Sequence, residues 1–230
     1  MVSKSKQLIF EWNKANKSRF DDFYFDRLNE KVKVSLINSG DIFLYGLNKT
    51  GKTYLLQSLC NYYSNEGKTS LFIPLKEAKN LGSEITDSLE DLDLICLDDI
   101  DLIAGDRRWE IAIFNLINNC LLTNCRIIFC SSLNLSNINF ELEDLVSRIK
   151  KINSIEIFPV NEQNLPNAIK FIAYTKSINL GKREIDYLIR YSERSIYSLV
   201  KIVEKLDKTS LELKRKITIP LIKEVIHIQT

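Results

Sequence analysis

Residues 42–53 read Ile-Phe-Leu-Tyr-Gly-Leu-Asn-Lys-Thr-Gly-Lys-Thr, and they decide the fold. An apolar run leads directly into G-x-x-x-x-G-K-T, the spacing of a phosphate-binding loop between a buried strand and a helix. The glycines permit a tight turn, so that successive backbone N–H groups converge on a polyphosphate. Lys52 adds a full charge, and the Thr53 hydroxyl is the expected ligand of a phosphate-bound Mg²⁺. A chance glycine turn is disfavoured because an amphipathic segment follows at 54–63.

The same motif predicts a set of nucleotide-binding residues. An aromatic stretch at 19–24 lies just upstream of the first strand, where its rings are able to flank a nucleotide base. We therefore expect ADP or ATP with Mg²⁺ as the cofactor. The residues predicted to hold it are Phe20, Phe23, Gly46, Asn48, Lys49, Thr50, Gly51, Lys52, Thr53 and Tyr54.

Two acids follow a second apolar run, at 92–97. Continuous rather than alternating hydrophobicity favours a strand covered on both faces of a parallel sheet, and such sheets bind ligands at the carboxyl ends of their strands. Asp98 is the expected partner of Mg²⁺ together with Thr53, and Asp99 is placed to orient or deprotonate an attacking water. A helix cap is the alternative interpretation of the same two acids.

Five apolar runs, at 42–45, 70–75, 92–97, 126–130 and 155–158, predict a parallel five-stranded sheet in an α/β domain. The fourth run ends in two serines, of which Ser132 is able to reach a γ-phosphate, although serines after a strand are also ordinary turn residues. The segment 108–122 is apolar almost all round and predicts a largely buried helix. A short helix is expected at 141–148.

Only helical periods remain after residue 160, at 161–177, 182–191, 195–213 and 219–226. The predicted organisation is therefore a leader at 1–19, an α/β nucleotide-binding domain at 20–159 and an all-helical domain at 160–230. No run approaches the roughly 20 apolar residues of a membrane span and no signal peptide is evident, so we expect a cytoplasmic protein without a membrane partner.

Charge and cysteine content exclude several function classes. The 32 basic and 30 acidic residues give a net charge of only +2, so no global field draws the protein to nucleic acid. Bases outnumber acids after residue 150, and any DNA contact is expected there. The five cysteines form no C-x-x-C pair and the chain has one histidine, which disfavours zinc sites and histidine-based nucleophilic catalysis. Buried, reduced thiols are expected.

The leader carries a short apolar island, Gln7-Leu8-Ile9-Phe10. One glutamine for hydrogen bonds and two apolar anchors are typical of a docking peptide. On composition alone, packing of Leu8 and Phe10 against the domain's own surface is an equal alternative.

Five features together resemble an AAA+ ATPase module with its lid. They are the phosphate loop, the strand that ends in two acids, the polar end of the next strand, a later arginine and the helical C-terminal region. Three segments make the chain similar to the Hda family of DnaA-related AAA+ proteins, and with them the resemblance covers essentially the whole chain. They are Leu97-Asp98-Asp99-Ile100 with 103–116, Leu145-x-Ser147-Arg148, and 215–225.

This resemblance implies a function and partners. In that family, a peptide similar to Gln7, Leu8 and Phe10 tethers the ADP-bound protein to the DNA-loaded sliding clamp, which is the β subunit of DNA polymerase III. The tethered protein then binds ATP-bound DnaA. Arg148 falls where the family keeps its arginine finger. The chain ends after the lid without a helix-turn-helix, so DNA is expected as a partner only through the clamp. The sequence leaves open whether the protein forms a homo-oligomer.

Two positions depart from the family pattern. Tyr197 stands where DnaA-like lids place a nucleotide-sensing arginine, and Arg194, one turn earlier, is the predicted substitute. Lys52 completes the phosphate loop where some Hda proteins have arginine. The leading hypothesis is therefore a negative regulator that stimulates ATP hydrolysis on DnaA. The alternatives are a self-hydrolysing ATPase of the helicase-loader or initiator type, and a clamp-bound adaptor in which nucleotide is purely structural.

Overall fold

The computed structural model describes residues 18–38 and 40–227. Its α/β part contains, in chain order, α1 (Glu30–Asn38), β1 (Ile42–Tyr45), α2 (Lys52–Asn65), β2 (Ser70–Pro74), α3 (Leu75–Ala78), β3 (Leu94–Asp98), α4 (Arg107–Thr123), β4 (Arg126–Ser131), α5 (Glu143–Ile149) and β5 (Asn153–Glu156). The lid contains α6 (Leu165–Thr175), α7 (Lys182–Tyr191), α8 (Ile196–Leu213) and α9 (Ile219–His227).

The five strands form one parallel sheet in the order β2-β3-β4-β1-β5, which confirms the predicted architecture. Strands β3 and β4 are buried along their whole length because both faces of the sheet are covered, which explains their continuous apolar sequence. The strand order brings the carboxyl ends of β1, β3 and β4 side by side. The phosphate loop, Asp98 and Ser131 therefore meet at one edge of the sheet.

Each face of the sheet has its own apolar core. On one face, α4 and α5 pack on side chains such as Phe43 and Phe129; on the other, α1 and α2 pack on Ile42 and Ile128. The lid helices enclose a third core that includes Ile169, Leu199, Leu206 and Leu221.

Several sequence-based boundaries differ from the structure. Strand β5 begins two residues earlier than predicted. It is a largely exposed edge strand, and its start is therefore defined by pairing with β1 and not by an apolar sequence. Helix α4 is less buried than predicted: Ile111, Leu121 and Leu122 are exposed, since only one face of the helix lies on the sheet. Helix α1 was not anticipated. The domain boundary at 159/160 stays a prediction.

The five cysteines are free thiols, four of them buried and Cys60 half-buried, as expected. Among the described residues, no helix combines the length and the apolar character needed to cross a bilayer.

Candidate functional site

The phosphate loop runs from β1 to the start of α2, and both of its glycines are required by their surroundings. Gly51 has a left-handed φ of 94°, and a Cβ there would lie 2.6 Å from Cε2 of Phe23. A Cβ on Gly46 would lie 2.2 Å from the carbonyl oxygen of Ile157, whose N–H donates to Tyr45 at 2.8 Å. The loop is thus held between the aromatic stretch and the residues that follow β5.

Lys52 lies inside the loop rather than on its surface. Its ammonium donates to the carbonyl oxygens of Gly46 at 2.7 Å and Leu47 at 3.0 Å, and only 6% of the residue is exposed. The Thr50 hydroxyl donates to the same Leu47 carbonyl at 2.9 Å. The loop backbone is therefore folded around the lysine, which concentrates positive charge where a polyphosphate would sit.

Thr53 and Asp98, 45 residues apart in sequence, are joined by a hydrogen bond. The threonine hydroxyl donates to Oδ2 of Asp98 at 2.6 Å. The other carboxylate oxygen, Oδ1, is buried and accepts no hydrogen bond within the described part of the chain. Burial, reinforced by the neighbouring Asp99, raises the pKa of Asp98 to about 6. A hydroxyl beside a carboxylate with one unpaired oxygen matches the ligands that Mg²⁺ prefers.

Asp99 adopts a left-handed backbone conformation with φ 58° and begins a 3-10 helix, Ile100–Ile103. Its side chain makes no capping hydrogen bond to that helix, so the cap interpretation is not supported for Asp99. Partial burial and the charge of Asp101 raise the pKa of the Asp99 carboxyl. A carboxylate with a raised pKa is a better proton acceptor for a water molecule.

Ser132 is hydrogen-bonded to Asp101, a residue for which the sequence predicted no role. Asp101 accepts from the Ser132 hydroxyl at 2.7 Å, from the Ser132 N–H at 3.1 Å and from the Ser131 hydroxyl at 2.9 Å. The tip of β4 is thereby tied to the acidic segment that follows β3. The only sequence signal was the third acid in Asp98-Asp99-Ile100-Asp101.

The aromatic residues predicted to flank the base lie beside the loop. Phe20 is buried and Phe23 is half-buried, with its ring centroid 6.0 Å from that of Tyr54. The Tyr54 hydroxyl donates to the carbonyl oxygen of Arg19 at 3.3 Å. These contacts fix the aromatic stretch against the first turns of α2.

The lid reaches the loop through residues other than Arg194. Asn48 and Lys49 are exposed at the loop tip, where the Lys49 ammonium lies 3.3 Å from Oε1 of Glu193 and 5.8 Å from the Tyr197 ring centroid. Arg194 instead pairs with Glu162 at 3.2 Å on the surface. The lid residues beside Lys49 are therefore Glu193 and Tyr197, and Arg194 is paired elsewhere.

Arg148 lies in the last turn of α5 and is partly exposed. Its guanidinium carbon is 6.0 Å from the ring centroid of Phe114 on α4. Across residues 18–38 and 40–227, no carboxylate pairs with it. The docking residues Gln7, Leu8 and Phe10 lie outside the described residues.

Known proteins resemble this chain in both of its parts. A family model described as the Hda lid domain matches residues 162–226. An uncharacterized protein of Haemophilus influenzae is 26% identical over 230 residues, which covers 97% of this chain and 100% of the relative.

Solved structures of DnaA share the fold. Domain III of the Thermotoga maritima replication initiation protein DnaA superposes with a TM-score of 0.75 at 17% identity, over 90% of this chain and 95% of that chain. The replication initiator DnaA bound to AMPPCP and single-stranded DNA gives a TM-score of 0.69 at 25% identity, over 86% of this chain and 68% of that chain. Taken together, the lid match and these superpositions show that the chain is similar to Hda in its helical lid and shares the AAA+ fold of DnaA.

Proposed function

We propose that this protein is a DnaA-related negative regulator of replication initiation which, while holding nucleotide and tethered to the DNA-loaded sliding clamp, stimulates hydrolysis of the ATP bound to DnaA. The observation that carries the proposal is Arg148, a partly exposed cation without a carboxylate partner among the described residues. An arginine paired in its own chain would have to break that pair before it contacted a phosphate. Arg148 has no such pair to break among the residues that the structure describes.

Arg148 acts in trans on the phosphoryl group being transferred. A guanidinium placed there stabilises the charge that develops in the transition state, and such an arginine contributes about 10³–10⁵ in rate. The Phe114 ring beneath it favours the cation electrostatically and limits its orientations. The active site for hydrolysis thus combines the nucleotide of DnaA with one side chain of this protein.

The protein's own phosphate loop holds ADP or ATP. The loop N–H groups and Lys52 bind the phosphates, and the aromatic stretch borders the base. Thr53 and Asp98 would hold Mg²⁺, which when bound neutralises phosphate charge. The support is the unpaired, buried Oδ1 of Asp98 and the AMPPCP bound to the DnaA structure at 25% identity.

A second candidate function is ATP hydrolysis by this chain itself, as in helicase loaders and initiators. It is favoured by Asp99, whose carboxyl has a raised pKa and follows directly after the Asp98 that pairs with Thr53. In this mechanism Asp99 accepts the proton of the attacking water. Arg148 of one copy would then complete the site of another copy.

The deciding experiment follows radiolabelled ATP pre-bound to DnaA, with and without this protein and clamp-loaded DNA. We expect faster hydrolysis that requires both the protein and the clamp, and its loss in Arg148→Ala. The matched control is Arg190→Ala, because Arg190 also ends a helix and also lies over an aromatic ring, Tyr191 at 5.7 Å, but in the lid. Equal stimulation by both variants would overturn the role of Arg148.

The tether is tested separately by deleting residues 1–11, which contain Gln7, Leu8 and Phe10. We expect loss of clamp binding with nucleotide binding retained. Co-migration of the truncated protein with the clamp would move the docking peptide elsewhere. ATP turnover by this protein alone, without any effect on DnaA, would favour the second candidate.

A further inference from the structure

Glu110, in the first turn of α4, is a fully buried carboxylate with 0% exposure. Carboxylates are almost never fully buried unless they are paired or hydrogen-bonded. Within the described ranges no cation pairs with it. It accepts instead from three backbone N–H groups: those of Gly105 at 2.8 Å and Glu141 at 3.1 Å on Oε1, and that of Leu142 at 2.7 Å on Oε2.

These donors belong to two segments that are distant in sequence. Gly105 lies at the end of the acidic segment, residues 98–105, which begins with the carboxylates of the nucleotide site. Glu141 and Leu142 directly precede α5, the helix that carries Arg148. Leu142, at the N-cap position of α5, makes no side-chain capping hydrogen bond, and Glu110 on another helix accepts the backbone N–H of Leu142 in addition to the charges of Glu143 and Asp144 in the first turn of α5. One side chain thus joins the two functional segments.

Helix α4 contacts α5 at a second point. Phe114 follows Glu110 by one helical turn and supports the Arg148 guanidinium, at 6.0 Å from its ring centroid. Leu145, between these two contacts, is fully buried in the core beneath. The start and the end of α5 are therefore both held by α4, the start through Glu110.

We infer that Glu110 is a positioning residue for Arg148. It fixes the backbone at 141–142, and thereby the direction in which α5 presents the arginine, and it ties that helix to the acidic segment. The inference rests on the proposed function in so far as Arg148 acts on the nucleotide of DnaA. The placement of α5 by Glu110 is testable without DnaA.

The first test is hydrogen exchange in the full-length protein. Glu110→Gln keeps the shape of the side chain, but an amide NH₂ group replaces one carboxylate oxygen. This group cannot accept a hydrogen bond from the backbone N–H that it faces, so at least one of the three hydrogen bonds is lost. We expect amides 141–148 to exchange at least tenfold faster, with amides 42–56 unchanged. Glu110→Asp, which keeps the charge but is too short to span both segments, is the second variant should Glu110→Gln fold poorly.

Asp106→Ala is the matched control. Asp106 caps the same helix, accepting from the N–H groups of Arg108 at 3.1 Å and Trp109 at 3.4 Å. Among the described residues, the N–H groups of residues 141–142 donate to Glu110 and not to Asp106. The substitution therefore weakens the start of α4 without removing the bridge. Equal acceleration at 141–148 in this control, or wild-type exchange there in both Glu110 variants, would overturn the inference.

The second test uses hydrolysis of DnaA-bound ATP. Glu110→Gln should lower the maximal stimulated rate at least tenfold, leave the concentration for half-maximal stimulation unchanged, and have no further effect in an Arg148→Ala background. An additional loss in that background would show that Glu110 does not act through Arg148. If the wild-type protein does not stimulate DnaA, the proposed function fails, and hydrogen exchange alone still decides whether Glu110 positions α5.

Discussion

Replacing Asp98 by asparagine should stabilise the nucleotide-free protein at neutral pH. Burial is the main reason that the pKa of Asp98 is raised from 3.8 to about 6, and the charge of Asp99 raises it further. Each pKa unit corresponds to about 1.4 kcal/mol, so the ionised carboxylate lowers the free energy of unfolding by about 3 kcal/mol at pH 7. The neutral amide in Asp98→Asn would avoid that loss, and its oxygen still accepts the hydrogen bond from Thr53.

The pH dependence follows from the direction of this shift. Because the folded pKa lies above the unfolded one, the folded state binds more protons between pH 3.8 and about 6. The contribution of protonated Asp98 is fully present below pH 3.8 and is lost as the pH rises through about 6. The stabilisation of Asp98→Asn over wild type should therefore be largest above about pH 7 and close to zero near about pH 4.

The assay is urea unfolding of both proteins at about pH 7.5 and about pH 4.5, first without nucleotide and then with Mg²⁺ and ADP. With both ligands present, the wild type should gain more stability than the variant, because only an ionised Asp98 favours the cation. A variant that is less stable than wild type at the higher pH without ligands, or a difference that is equal at both pH values, would refute the reasoning.

Asp93→Asn is the matched control because its carboxylate is perturbed in the opposite direction. Hydrogen bonds from the Thr69 backbone and hydroxyl lower the pKa of Asp93. The stabilisation from ionised Asp93 is present above its unfolded pKa and is lost as the pH falls through the folded value. The control should therefore destabilise the protein at the higher pH, where Asp98→Asn stabilises it.

Two further predictions concern the loop and the lid. Gly51→Ala should reduce nucleotide affinity and thermal stability more than Gly67→Ala. Both substitutions place an alanine in a left-handed backbone conformation at a cost of about 1–2 kcal/mol, but only the Cβ at 51 meets Phe23, at 2.6 Å, whereas the Cβ at 67 meets nothing within 4 Å. Equal melting temperatures and nucleotide affinities of the two variants would contradict this. Leu206→Ala, in the lid core at 0% exposure, should lower the free energy of unfolding by about 2–5 kcal/mol in urea titrations, and a loss below about 1 kcal/mol would show that the site collapses around the cavity.

Some features of the fold were predictable because their causes are local. The loop motif, the apolar strands and the 3.6-residue periods of the lid each lie within a short stretch of sequence, and they were located to within a few residues. Strand β5 and helix α1 were harder. The first is defined by pairing to β1, and the buried side of the second, at Val32 and Leu36, packs against the α2 face of the sheet.

The sequence by itself determined a phosphate loop, an acidic strand end, a five-stranded parallel sheet and a helical lid, because residue type and spacing act within one element. Only the tertiary structure decided which side chains meet. Thr53 contacts Asp98 because β1 and β3 lie on either side of β4, Lys49 contacts Glu193 because the lid folds back on the loop, and Glu110 meets residues 141–142 because α4 packs on α5. Such contacts join residues between 31 and 144 positions apart, and strand order and helix packing, rather than local pattern, determine them.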